Sequence, residues 1–189
     1  MTKLIYVTNM SLDGYIEDEH GSINFFPVDA EVFRSHTDLL RSAGTFLYGR
    51  RLYESMAVWE TDATLAARSD PMAEFATAWR SADKVVYSTT LTDVTTAKTR
   101  IEHRFNPSTV RDLKASASSD ITVGGATLAS QAIEAGLVDE CQLYVLPTVL
   151  GGGKPALPTD AGVDLELIGE RRFGNGVVLL QYRPLDRSG

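Results

Sequence analysis

Ile121-Thr122-Val123-Gly124-Gly125-Ala126-Thr127-Leu128 decides how this sequence is read. A short apolar run suits a buried strand, two glycines break it, and the residues that follow open a helix. Glycine lets a ligand approach the backbone closely. The amides and positive dipole of a helix start favour a phosphate there. A tight strand-to-helix turn with no ligand explains the same residues equally well. The run is not G-x-G-x-x-G, so an ordinary Rossmann fingerprint is not supported.

A second junction of the same kind is Leu47-Tyr48-Gly49-Arg50-Arg51-Leu52-Tyr53-Glu54. Two arginines sit where the helix dipole disfavours cations, which hints at an anion. Pairing of Arg50 and Arg51 with Glu54 in solvent is the plainer alternative. Lys84-Val85-Val86-Tyr87-Ser88-Thr89-Thr90 ends a third strand in hydroxyls that could bond a ribose or phosphate, or cap the next turn. Ser11-Leu12-Asp13-Gly14-Tyr15-Ile16 lies in a long loop over residues 10–28, and such loops are often lids or binding loops.

Outward from these junctions, strand and helix patterns alternate. Leu4–Val7 is a short buried strand, Asp29–Ala43 a helix, Thr45–Tyr48 a strand and Arg50–Ala57 a helix. Pro71 opens a helix to Ser81 and Lys84–Ser88 is a strand. Ile101, His103 and Phe105 alternate with charged neighbours as in a half-exposed strand. Asn106-Pro107-Ser108 starts a helix to about Ala117. After Ile121–Val123, a helix from about Ala126 to Ala135 stops at Gly136, and Glu140–Leu146 is a strand halted by Pro147. Val163–Ile168 and Val177–Arg183 form a final pair around Gly174-Asn175-Gly176, read as a tight Asn-Gly turn. Strands separated by helices imply a mostly parallel sheet, and the last two an antiparallel hairpin. The fold class expected is α/β, a mixed, mostly parallel sheet with helices on both faces, as one domain over residues 1–189. Ligands bind such sheets beyond the carboxyl ends of the strands.

Composition narrows the function. The 189 residues carry 18 Lys plus Arg against 25 Asp plus Glu, a net charge of −7, so nucleic acid is a poor default partner. No apolar run approaches a membrane span. Met-Thr-Lys leads straight into Leu4–Val7 without a signal peptide's apolar run, so a cytoplasmic protein is expected. The one cysteine, Cys141, excludes internal disulfides and reads as buried and inert. His20, His36 and His103 show no metal-ligand spacing, so no metal site is expected. There is no G-x-S-x-G elbow. Gly151-Gly152-Gly153-Lys154 precedes Pro155 and lacks the earlier glycine of a P-loop; it reads as a flexible loop near the strand ends.

Taken in order, Ser-Leu-Asp-Gly-Tyr-Ile, Tyr-Gly-Arg-Arg-Leu-Tyr-Glu, Lys-Val-Val-Tyr-Ser, Ile-Thr-Val-Gly-Gly-Ala-Thr-Leu, Gly-Leu-Val-Asp-Glu and Pro-Thr-Val-Leu-Gly-Gly-Gly-Lys-Pro resemble the dihydrofolate reductase-like superfamily. Within it the chain is most similar to the reductase domain of bacterial riboflavin biosynthesis and its stand-alone relatives, from about Lys3 to Arg183. The resemblance implies NADPH as hydride donor. It places Gly49, Arg50 and Arg51 along the cofactor phosphates and Ser88 and Thr89 beside the adenosine. It puts Gly124, Gly125, Ala126, Thr127 and Leu128 on the pyrophosphate. Leu12, Asp13, Gly14, Tyr15 and Ile16 would cover the nicotinamide, so that Asp13 and Tyr15 reach the substrate. Asp29 corresponds to the acidic residue that binds a pterin, or else caps its helix. Asn9, and Ala156-Leu157-Pro158 after the glycine run, depart from the relatives' pattern. The implied reaction is hydride transfer to a small heterocyclic or ribosylamino-pyrimidine substrate, by a homodimer as is common in the group. A dihydrofolate reductase and a non-catalytic nucleotide-binding module are the alternatives.

Overall fold

The structure is a computed structural model that describes residues 2–26, 29–159 and 162–185. In chain order its elements are β1 (Leu4–Met10), β2 (Tyr15–Glu17), α1 (Ala30–Ser42), β3 (Ala43–Gly49), α2 (Arg50–Met56), α3 (Val58–Thr61), α4 (Ala63–Ala66), α5 (Asp70–Ser81), β4 (Asp83–Tyr87) and β5 (Thr99–Glu102). There follow α6 (Pro107–Ser116), β6 (Asp120–Gly124), α7 (Ala126–Glu134), β7 (Glu140–Val145), β8 (Lys154–Pro155), β9 (Leu165–Arg172) and β10 (Val178–Pro184). Eight strands form one sheet in the order β5-β4-β3-β6-β1-β7-β10-β9. The first six run parallel, and β10 and β9 are antiparallel to their neighbours. This is the mixed α/β sheet expected from the sequence.

Local signals explain where the helices begin and stop. Asp29, Ser69 and Asn106 each accept backbone amides of the first turn of α1, α5 and α6. Gly136 stands at φ +63 after α7, with its amide on Ile133 O and the Leu137 amide on Ala132 O. This pair of bonds is a Schellman stop, which needs a residue without Cβ strain.

The core lies on both faces of the sheet. On one, Leu4, Tyr6, Leu47, Val85 and Val123 pack with Val110 of α6 and Leu128, Ala129 and Ala132 of α7. Cys141 of β7 is buried in this layer, where burial, with Glu140 nearby, pushes its thiol up to about 12. On the other face Phe46, Tyr48 and Val86 meet Tyr53 of α2 and Phe75, Ala78 and Trp79 of α5. Val32 of α1 joins Tyr144, Phe173 and Val177 farther along that face.

Four expectations need correction. The long loop after β1 contains β2, which pairs with β8 in a small second sheet; residues 27 and 28 of that loop lie outside the described residues. The Gly151–Gly153 run is therefore docked rather than loose: a Cβ on Gly153 would collide with the Glu17 carbonyl oxygen. The C-terminal turn has three residues, not two. Phe173 N donates to Val177 O and Gly176 N to Phe173 O, and only Gly176 stands at positive φ, +89. Phe173 and Val177 are each 1% exposed, so burying both on one face sets this register. Strand β9 also runs on to Arg172, beyond the apolar pattern, because as the sheet's outer strand most of it is exposed. Among the described residues no helix is long and apolar enough to cross a membrane.

His36 of α1 gives the fold a pH signature. Its ring stacks on Tyr144 at 4.0 Å and its Nε2 donates to Asn9 Oδ1 at 3.1 Å. Burial pushes its pKa down to about 4. An unfolded histidine takes a proton near 6.5, so the unfolded chain binds the extra proton between pH 6.5 and 4. The contribution is whole above 6.5 and is lost as pH falls through that window. Because the residue keeps some exposure, the expected loss from pH 7 to pH 5 is discounted to about 1 kcal/mol. Urea midpoints at the two pH values should show it, and His36→Gln should flatten the difference. An unchanged slope in the variant would refute this assignment.

Candidate active site: a basic cleft at the strand tips

The two strand-to-helix junctions lie side by side. β3 and β6 are parallel neighbours with Tyr48 opposite Gly124, so Gly49 and Gly125 leave the sheet at the same level. Gly125 turns the chain at φ +92, a conformation that side chains rarely adopt. A Cβ there would lie 3.6 Å from Gly49 N, in the space between the two corners. Gly124 is buried beneath: a Cβ on it would overlap the Leu52 side chain of α2, so its bareness lets α2 settle over β6. No side chain caps α7, whereas α1, α5 and α6 are capped by Asp, Ser and Asn. The first-turn amides of α7 therefore remain available to a ligand.

A cavity of about 440 Å³ opens over these corners. Eight of the ten residues expected around a cofactor line it: Gly49, Arg50, Arg51, Ser88, Thr89, Gly125, Thr127 and Leu128. The other two, Gly124 and Ala126, are buried below it and shape the corner instead of facing the ligand space. Thr90 of the hydroxyl cluster and Lys154 of the loop read near the strand ends line it as well; sequence reasoning missed Tyr87, His103, Phe105 and Gln131, which complete the lining along with Leu52. Arg50, Arg51 and Lys154 are cations, and among the described residues no carboxylate lines the cleft, although the chain carries a net charge of −7.

The arginines are held in place by weak ties. Arg50 Nε donates to Glu54 Oε1 at 2.7 Å and Nη1 to Thr90 Oγ1 at 2.8 Å. Arg51 Nη1 donates to Glu17 Oε1 at 3.3 Å, and its side chain is 79% exposed. Pairing with Glu54 thus holds for Arg50 and not for Arg51. Such exposed pairs are worth about 0–1 kcal/mol, and each guanidinium keeps further N–H donors. Ser88 Oγ accepts the amides of Thr90 and Leu91, which is the turn-capping reading of these hydroxyls. Thr89 lines the cleft.

A second cavity, about 600 Å³, adjoins the first across Arg51 and Lys154. Glu17, Asp18 and Glu19 line it, so it is a poor seat for an anion despite its size. The described residues contain no cluster of three or more His, Cys, Asp or Glu side chains that could hold a metal ion.

The residues expected on the substrate side are placed differently. Asp13 accepts the amides of Leu150 at 3.1 Å and Gly151 at 2.7 Å. With the Ser11 hydroxyl, these bonds hold its carboxyl down at about 2. Tyr15 N donates to Ser11 Oγ, and Tyr15 lies opposite Pro155 in the small sheet. Asp29 Oδ1 accepts the Glu31 and Val32 amides, so the capping role is the one the structure gives it. None of Asp13, Tyr15 and Asp29 lines either cavity, because each is engaged in fixing backbone.

Beside the corners, β1 and β6 part from each other. β6 pairs with β1 only as far as Tyr6–Val123, while β1 continues to Met10 with Val7–Met10 half-exposed. Past the fork, β1 leads to α1 on one face of the sheet and β6 to α7 on the other. Adjacent strands whose connections part to opposite faces leave a crevice at their carboxyl ends.

Known proteins share this architecture. A Bacillus subtilis protein, YyaP, itself uncharacterized, is 30% identical over 185 residues, which cover 95% of this chain and 94% of that one. A crystal structure from Shewanella sp. PV-4, of a protein provisionally assigned to riboflavin biosynthesis, superposes with a TM-score of 0.76 at 19% identity, covering 98% of this chain and 100% of that one. The diaminohydroxyphosphoribosylaminopyrimidine deaminase/5-amino-6-(5-phosphoribosylamino)uracil reductase of Thermotoga maritima superposes at 0.66 with 15% identity, over 97% of this chain but 57% of the longer bifunctional protein. The model of one family spans residues 2–179, nearly the whole sheet and both glycine corners, and the chain belongs to that family, the RibD C-terminal domain.

Proposed function

We propose that the chain is an NADPH-dependent reductase that passes hydride to a small heterocyclic or ribosylamino-pyrimidine substrate, in the manner of a 5-amino-6-(5-phosphoribosylamino)uracil reductase. One observation carries the reading: among its described residues, an acidic protein gathers three cations and no carboxylate along a cleft that crosses two glycine corners. The cleft fits the cofactor, since Gly125 leaves open the space a Cβ would fill. When bound, NADPH supplies the hydride.

The protein's part is placement. The α7 amides and Thr127 bind the pyrophosphate, and Arg50 and Arg51 lie along the cofactor phosphates, with an arginine near the adenosine 2′-phosphate. Tyr87 and Phe105, with ring centroids 5.7 Å apart, offer an apolar flank for the base. The crevice between β1 and β6 takes the reacting ring and the substrate and keeps water from them. Family membership supports this reading.

Calorimetric titration with NADPH and NADH tests it. Saturable binding is expected, with oxidation of NADPH when a ribosylamino-pyrimidine is added. Arg50→Ala and Arg51→Ala should each weaken NADPH about tenfold or more, and NADH less. Equal losses for both cofactors would count against a role at the 2′-phosphate. No binding of either cofactor would refute the proposal. Binding without turnover on pteridines or ribosylamino-pyrimidines would leave a nucleotide-binding module.

A further inference from the structure

We propose that Glu17 is an internal competitor for the cofactor: the small sheet holds a carboxylate on Arg51 that an incoming anion must displace. The inference rests on the dinucleotide reading above and adds a restraint to it. Glu17 ends β2 and is the register partner of Lys154 in β8, so the two side chains share one face of the small sheet. Arg51 and Lys154 line both cavities, whereas Glu17 lines the acidic one. Two of the cleft's three cations thus stand beside one carboxylate that lies just outside it.

The bonded partners are unequally exposed. Arg51 Nη1 donates to Glu17 Oε1 at 3.3 Å, and the side chains are 79% and 18% exposed. Water solvates the guanidinium whichever way it turns, so Arg51 loses little by leaving. The carboxylate is mostly shielded from water, and losing its partner costs it more. An anion that takes Arg51 therefore leaves a poorly solvated charge behind and is repelled by it.

Glu17 is also prevented from following its partner away. A Cβ on Gly153 would collide with the Glu17 carbonyl oxygen, so the two strands lie close together. Ala156 N donates to Gly14 O, and Tyr6 Oη donates to Ala156 O at 2.6 Å, which ties the small sheet to β1. The carboxylate is in effect a fixed charge beside the cleft. It lowers affinity and speeds release, because Glu17 recaptures Arg51 as the anion departs.

The test is calorimetric titration of the full chain with NADPH. Glu17→Gln removes the charge and keeps the backbone pairing of β2, and it should bind NADPH about three- to tenfold more tightly. Glu17→Ala should act in the same direction. The gain should shrink in about 1 M salt, where screening leaves a reach of about 3 Å. In an Arg51→Ala background the Glu17→Gln gain should vanish. Glu19→Gln takes an equal charge from the same cavity without touching the Arg51 bond, and should gain less than about twofold. Unchanged or weaker binding by Glu17→Gln overturns the inference, as does an equal gain from Glu19→Gln or in the Arg51→Ala background. In each of those cases NADPH binding by the wild type still upholds the cofactor reading. A chain that binds no NADPH in any of these forms overturns both.

Discussion

Gly125→Ala should reduce NADPH affinity by about thirtyfold or more and lower the stability of the apo-protein by about 1–3 kcal/mol. Both effects come from one missing atom. At φ +92 and ψ 117 the residue sits where only glycine is at ease, and forcing a side chain there costs on the order of 1–3 kcal/mol. The added Cβ would lie 3.6 Å from Gly49 N and 3.8 Å from Gly49 Cα, an ordinary contact, so the fold survives. It would nevertheless fill the gap between the two corners and hold a phosphate off the α7 amides. Thermal melting measures the first effect and calorimetry the second. A variant that loses stability yet keeps wild-type affinity would show that no phosphate enters this gap. Gly49→Ala is the control for the stability effect alone, since a Cβ there meets nothing within 4 Å and its φ of −72 suits any residue.

Trp79→Ala should be the most damaging core substitution. The ring is fully buried between α5 and the sheet, and its Nε1 donates to Tyr48 Oη at 3.2 Å. Deleting a buried tryptophan costs about 3–5 kcal/mol, against a typical total of about 5–15. The loss also exposes a second weakness. Lys84 is fully buried, with Nζ 4.3 Å from the Trp79 ring centroid and hydrogen-bonded to the Trp79 and Ala82 carbonyls. Burial already lowers its pKa, and without the ring the cation loses this aromatic contact. A melting temperature about 10 °C lower is expected for a chain of this size. Trp79→Phe keeps most of the apolar area and should cost about 1–2 kcal/mol, chiefly through the lost bond to Tyr48. Alanine and phenylalanine variants of equal stability would contradict this account.

The parts of the fold legible in the sequence are those fixed by neighbouring residues. The Gly49 and Gly124-Gly125 junctions, the Pro71 and Asn106-Pro107 helix starts and the Gly136 stop all use local backbone chemistry, and each stands where expected. What escaped reading depends on distant pairing. β2 and β8 have three and two residues, too few for any alternation, and exist because Gly153 can lie against Glu17. The helices α3 and α4 have four residues each, too short to show a period. The C-terminal turn was misread because Asn-Gly suggests a two-residue loop, whereas the burial of Phe173 and Val177 sets the register from outside the turn. The site divides in the same way. The glycine corners announce themselves, but only the order β5-β4-β3-β6 brings His103 and Phe105 to Arg50, and only the small sheet brings Lys154. Asp13 and Asp29 mislead for the opposite reason: a carboxylate that accepts backbone amides looks, in sequence, like one held ready for a ligand.

The lone cysteine on β7 carries a practical consequence. A thiol without solvent contact and with ionisation pushed up to about 12 is closed to alkylating and disulfide reagents while the sheet is intact. Because β7 is central, between β1 and β10, its release requires the sheet to open. The protein therefore carries a built-in clock: the rate at which a thiol reagent labels it counts how often the whole molecule comes apart.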